Sequence, residues 1–176
     1  MNKALQRPNY IHRVALFVDA SNLLYAAKKI NLTIDYLKLK NYLTSNNRVT
    51  YAGFYMGVDY SQTHQRSFIS YLKNIGYQVT AKQLLKRFDG TQKADLDVEI
   101  ALDMYRLTAE YDTAILVSGD QDFVYPVDLI QQQGKQVNIV GLDKMTNDEL
   151  KGICNKFYNL SAIASDITQE YYQYVA

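Results

Sequence analysis

Three stretches of this chain are predominantly apolar. Val14–Val18, Thr113–Val117 and Val137–Val140 are short and rich in branched residues, broken only by Thr113 at the start of the second and Asn138 within the third. Runs of this kind fit strands buried on both faces, as in parallel sheets. Elsewhere the apolar period becomes helical. The pattern predicts helices from Ser21 or Asn22 to about Lys29, over Ile34–Leu43, and from Ser61 through Phe68, Ile69 and Leu72 to a stop at Gly76. Three more are expected: from Asp95 or Asp97 to near Glu110, from close to Phe123 to Gly134, and over Asn147–Lys156. Pro126 fits only the opening turn of its helix. Further strands are expected at Arg48–Tyr55, at Tyr77–Ala81 and, as a final edge, at Phe157–Leu160. Between Lys82 and Lys93, Phe88-Asp89-Gly90 marks a hairpin or tight loop.

Strands alternating with helices imply βαβ units, right-handed crossovers and a mostly parallel sheet, an α/β fold. With 176 residues and no internal repeat, linker or low-complexity segment, one doubly wound domain is expected over residues 1–176. Its core should span about 13–162, between a loose N-terminal arm and a C-terminal tail.

Two of the apolar runs end alike. Val14–Val18 leads into Asp19-Ala20-Ser21-Asn22, and Thr113–Val117 into Ser118-Gly119-Asp120-Gln121-Asp122. Open α/β sheets bind ligands outside the carboxyl ends of their strands, so these acids sit where chemistry is expected. On the helix carrying Asp95, Asp97, Glu99 and Asp103, the apolar positions Ile100 or Ala101, Met104 and Leu107 should face the sheet. One turn back from Ala101 lies Asp97, at the top of that buried face. A buried carboxylate needs a cation or donors nearby. Asp95, Glu99 and Asp103 fall on a different stripe, expected to be mostly solvated, with Arg106 one turn beyond Asp103. Each acid also has a purely structural use. Asp19 can cap the following helix, Asp122 is the natural cap of the helix at Phe123, and Asp97 can face a helix dipole. Independent capping does not require convergence of Asp19, Asp97, Asp120 and Asp122 on one sheet edge. Hard divalent ions do favour such a set: Mg²⁺ takes one or two carboxylates and keeps several waters. A site of that kind can orient a water for attack on a phosphodiester.

Composition narrows the field. A net charge of +1 excludes a globally basic nucleic-acid binder but leaves a local strip of Lys82, Lys86, Arg87 and Lys93. The single Cys154 excludes an internal disulfide and a Cys-rich zinc site. His12 and His64 lack ligand spacing and are expected at the surface. There is no Walker loop, GxGxxG or Ser-His-Asp order. No run nears the about 18 apolar residues of a membrane helix, and the opening residues lack a signal-peptide core, so a cytoplasmic location without a membrane partner is expected. Sixteen tyrosines and no tryptophan fit partly buried rings with wet hydroxyls, and tyrosine-rich surfaces leave a homodimer open.

FVDASNLLY, KADLDVEIALDMYRL and YDTAILVSGDQDFVYPVDLIQQQGKQVNIVGL, in this order, resemble the NYN domain of the LabA-like family, a branch of the PIN-like nuclease superfamily. The resemblance runs from about Val14 to Leu160. It implies a Rossmann-like three-layer sandwich with strand order 3-2-1-4-5 and metal-dependent ribonuclease chemistry. By motif, Asp19 matches the family's first-strand aspartate, with Asn22 its polar neighbour. Asp97 matches the helix-start aspartate, and Asp120 and Asp122 the SGDxDF pair, with Ser118 alongside. Lys93 and Asp103 fall on common family positions; near Asn155, where the family often has an aspartate, an amide stands. The implied enzyme is an endoribonuclease using Mg²⁺ or Mn²⁺, held by Asp19, Asp97 and Asp120 directly or through water, with Asp122 as an outer ligand. Asn22 and Ser118 would donate to a phosphate oxygen, Lys82, Lys86, Arg87 and Lys93 would meet the backbone of single-stranded RNA, and Tyr25 and Phe88 would stack on a base. Two rivals stand beside it. One is a regulatory or RNA-binding module with a weak or vestigial acidic site. The other, a haloacid-dehalogenase-type phosphatase, is disfavoured because Ser21 occupies the second position after Asp19.

Overall fold

β1 (Arg13–Asp19) is buried from Val14 to Asp19, as an uninterrupted apolar run requires. The computed structural model describes residues 11–45, 47–86 and 92–170, the side chains of Lys86, Gln92 and Lys93 excepted. β1 lies at the centre of a six-stranded sheet with β2 (Arg48–Val58), β3 (Gln78–Gln83), β6 (Thr113–Val117), β7 (Gln136–Gly141) and β8 (Lys156–Asn159). The order is β3-β2-β1-β6-β7-β8, and every pairing is parallel. Counting these strands along the chain gives 3-2-1-4-5-6. That is the order the resemblance implies, extended by the edge strand expected near Phe157. A separate antiparallel pair, β4 (Leu85–Lys86) and β5 (Gln92–Lys93), forms the expected hairpin, whose Phe88-Asp89-Gly90 turn lies outside the described residues.

Alternate residues of β1 feed two cores. Val14, Leu16 and Val18 pack against α1 (Ala20–Lys29), α2 (Tyr36–Thr44), α3 (Thr63–Asn74) and α7 (Ala164–Ile167). Ala15 and Phe17 face α4 (Asp97–Arg106), α5 (Val124–Gln132) and α6 (Asp148–Ile153). Helices therefore cover both faces in three layers. Gly76 ends α3 as expected, at φ 90°, where an L side chain would be strained.

Three elements differ from the sequence expectation. α4 stops at Arg106, short of Glu110, where the buried Tyr111 hydroxyl donates to the Met104 carbonyl at 2.6 Å and satisfies one of the helix's terminal acceptors. α6 ends at Ile153 because the chain must straighten into β8 from Lys156. α7 carries no periodic signal in the sequence, since its four residues are too few to show one. It packs against α2, and the Asp35 amide donates to the Ile167 carbonyl. No helix among the described residues is long and apolar enough to cross a membrane. An all-parallel sheet brings every strand's carboxyl end to one edge, and Asp19 and Ser118 stand there.

Candidate metal centre at the carboxyl edge of the sheet

Asp19 closes β1 and caps α1. Its Oδ1 accepts the Asn22 amide at 3.2 Å and its Oδ2 accepts the Ser118 hydroxyl at 3.1 Å. Only 9% of it is exposed. Across the gap, Ser118 Oγ accepts the Asp120 amide at 3.3 Å, and Asn22 Oδ1 accepts the Gly119 amide at 3.0 Å. These bonds lock the turn after β1 to the turn after β6. Gly119 has no room for a side chain: a Cβ would lie 2.8 Å from the Thr146 Cα.

The capping expectation for the second turn needs correction. Asp120, not Asp122, is the cap: its Oδ1 accepts the Asp122 amide at 3.0 Å and opens a 3-10 turn, Gln121–Phe123, ahead of α5. The helical segment starts one turn earlier than the hydrophobic period shows. Asp122 is exposed and does not line the acidic pocket.

A third group of acids arrives with α4. No side chain caps this helix at Leu96; instead Asp95 Oδ1 accepts the Asp97 amide at 3.2 Å. Lys82 fixes the approach, donating to the Asp95 carbonyl at 2.9 Å and to Glu99 Oε1 at 2.8 Å. It is thus engaged in tethering α4 rather than free for a nucleic-acid backbone. The outcome is a pocket of about 230 Å³ lined by Asp19, Asp95, Asp97 and Asp120, with Asn22 and Tyr25 at its side. Helical spacing places Asp95 on one stripe with Glu99 and Asp103, and it is exposed as that stripe predicts, yet it also lines the pocket. It precedes the helix, so that spacing does not show its place there; the Asp95-Leu96-Asp97 doublet was the available signal. Asp103, by contrast, is only partly exposed. It accepts the Tyr55 hydroxyl at 2.8 Å and pairs with Arg106.

The pocket is electrostatically tense. Burial pushes Asp97 up from 3.8 to about 7, aided by a hydrogen bond with Asp95 and by the charges of Asp95, Asp19 and Asp120. Asp19 is also raised, by burial and by Asp120, against the opposing pull of Asn22, Ser118 and Ser21. Among the described residues no lysine or arginine pairs with Asp19, Asp97 or Asp120. No three acids there stand ready to grip one ion directly. The donor set is nonetheless all-oxygen, hard and short of positive charge, which suits a hydrated Mg²⁺ or Mn²⁺ that takes one or two carboxylates and keeps its waters.

Other expected site residues divide. Asn22 lines the pocket, and its amide NH₂ makes no hydrogen bond among the described residues. Ser118 is 1% exposed with its hydroxyl directed at Asp19, so it positions that carboxylate and does not reach a phosphate. Arg87 and Phe88, and the side chains of Lys86 and Lys93, lie outside the described residues. His64 is exposed as expected, but His12 is half-buried against the Thr113 hydroxyl at 2.8 Å. Asn155 Oδ1 accepts the Val137 amide at 2.7 Å at the start of β7, a structural tie at the amino end of that strand.

Comparison with known proteins agrees with this architecture. The NYN domain family model matches residues 13–161. The low amplitude and bright protein LabA of Synechococcus elongatus is 31% identical over 163 residues, covering 88% of this chain and 87% of that protein. A crystal structure of a protein of unknown function from Vibrio parahaemolyticus superposes with a TM-score of 0.81 at 29% identity, covering 93% of this chain and 99% of that one. With the fold, the paired strand-end aspartates and these matches together, the chain belongs to the NYN domain family, on its LabA-like branch.

Proposed function

We propose that this protein is a metal-dependent ribonuclease that hydrolyses RNA phosphodiester bonds at the carboxyl edge of its sheet. The observation that carries this is the meeting of Asp19, Asp95, Asp97 and Asp120, from three separate segments, in one pocket at the carboxyl edge of the sheet. Asp19, Asp97 and Asp120 would hold a Mg²⁺ or Mn²⁺ ion, directly or through its waters, with Asp95 beside them. When bound, the ion supplies a water of lowered pKa and neutralises charge on the scissile phosphate. The chain's own part is positional. Ser118 and the Asn22 amide orient Asp19, and the Asp122 amide orients Asp120. The Asn22 NH₂ is left to donate to a phosphate oxygen. Asp97, whose carboxyl burial and the neighbouring acids push up to about 7 in the metal-free protein, gains from a cation that stabilises its charged form. Asp122, exposed outside the pocket, is assigned no ligand role.

One observation favours a second reading. No three acids stand ready as a direct ligand group among the described residues, which also suits an RNA-binding module with a weak site. Labelled single-stranded and structured RNA, incubated with Mn²⁺, Mg²⁺ or EDTA, separates the two. Cleavage that needs the metal and is lost in Asp120→Asn supports the enzyme. Binding without cleavage under any divalent ion supports the module, and cleavage unaffected by the substitution contradicts this site.

A further inference from the structure

Beside the acidic pocket lies a second hollow of about 510 Å³, at the carboxyl ends of β7 and β8. Leu142, Met145 and Ile30 give it apolar walls, and Tyr25, 56% exposed, stands between it and the acidic pocket. A polar cleft lined by Asn22, Asp120 and Lys144 joins the two. The cleft shares Asn22 and Asp120 with the acidic pocket and Lys144 and Met145 with the hollow, so the three depressions adjoin one another.

Resting on the ribonuclease reading above, we infer that this hollow is a nucleobase subsite, which takes one unpaired base of the RNA strand whose phosphate lies at the acidic pocket. An apolar space with a planar ring on its rim favours a flat, poorly hydrated ligand, and it is larger than a single base requires. Aromatic side chains hold unpaired bases by stacking. Two lysines on its lining can meet a polyanion, while the one acid there, Asp143, is paired with Lys151. Lys29 lies 5.1 Å from the Tyr25 ring centre and lines the hollow, and Lys144 lines both the hollow and the joining cleft. Neither lysine makes an ion pair among the described residues. A strand running from the carboxylates through the cleft would meet Lys144 with a phosphate and Tyr25 with a base.

Asn159 adds a polar reader. Its Oδ1 accepts the backbone amides of Asp143 at 3.4 Å and Ser161 at 3.2 Å, which fixes which end of the amide is oxygen. Its NH₂ makes no hydrogen bond among the described residues and belongs to a residue lining the hollow. A donor at that place selects a base edge that offers an acceptor, such as a carbonyl oxygen.

The chain has no tryptophan, so Tyr25→Trp places a single tryptophan at the subsite, which can be excited apart from the tyrosines. Titration in EDTA with oligouridylate, with a nucleoside monophosphate, and with an abasic ribose-phosphate oligomer reads stacking without any need for cleavage. Saturable quenching by the first is expected, with little by the abasic oligomer. Tyr25→Ala should weaken oligonucleotide binding about 10-fold, Tyr25→Phe should restore it, and Asn159→Ala should reduce discrimination between bases. Quenching by the monophosphate as tight as by the oligomer would overturn the placement on an RNA strand. Equal quenching by the abasic oligomer, or none by any ligand, would overturn the base subsite itself. Base quenching without nuclease activity would leave the subsite standing and remove the ribonuclease reading, so the two fail separately.

Discussion

Replacing Asp97 by asparagine should stabilise the metal-free protein, and only above mildly acidic pH. The carboxyl rises from 3.8 to about 7 on folding because it is buried beside Asp95, Asp19 and Asp120. Below about pH 4 it is protonated in both the folded and unfolded chain and contributes nothing. Between about 4 and 7 the folded chain binds more protons than the unfolded one, so stability falls as pH rises, and above 7 the whole penalty is present. The span from 3.8 to about 7 corresponds to a ceiling of about 4 kcal/mol. The side chain is half-buried, and water screens most of that, leaving about 1–2 kcal/mol. For a chain of this size, this is a rise in Tm of about 4 °C in Asp97→Asn at pH 8. Differential scanning fluorimetry in EDTA from pH 4.5 to 8.5 measures it. The two Tm curves should meet at the acid end and separate across neutrality. Mn²⁺ should raise wild type at pH 8 and raise the variant less, since the ion supplies the missing positive charge. Parallel curves throughout, with equal response to Mn²⁺, would refute the idea that burial among neighbouring acids holds this carboxyl above its ordinary range.

Three more outcomes follow from particular contacts. Ser118→Ala removes one donor from the buried Asp19 carboxylate and should cost about 1–2 kcal/mol in urea unfolding, with cleavage reduced through a misplaced Asp19. Gly119→Ala drives a Cβ to 2.8 Å from the Thr146 backbone; it should cost about 1–3 kcal/mol and displace Asp120, read as a lower unfolding midpoint together with a weaker Mn²⁺-induced Tm shift. Asn155→Ala leaves the Val137 amide without its acceptor and should lower stability by about 1 kcal/mol, while the Mn²⁺ response of the folded protein stays at the wild-type level.

What could be read from the sequence follows the physics of burial. β1, β6 and β7 were visible because strands covered on both faces lose their polar alternation. The positions of Asp19 and Asp120 at the sheet edge followed directly, since a parallel sheet sends all carboxyl ends one way. Asp95 was hidden because helical periodicity was extended past the true start of α4 at Asp97. The exchange of roles between Asp120 and Asp122 came from a 3-10 turn too short to carry a period. Ser118 looked like a phosphate ligand by type, and only three-dimensional packing shows its hydroxyl turned inward to Asp19. Asp103 looked solvated because its partners, Tyr55 and through it Tyr51, come from a strand about fifty residues away.

The most direct test of the central claim is the single-turnover cleavage rate of an end-labelled single-stranded RNA as Mn²⁺ is titrated, alongside the Mn²⁺-induced Tm shift of the same preparations. Wild type, Asp19→Asn and Asp120→Asn would be compared. The account predicts that, in wild type, rate and Tm shift saturate over the same Mn²⁺ range, and that both are lost or greatly weakened in each variant. Cleavage in EDTA, or cleavage of undiminished rate in either variant, would contradict it.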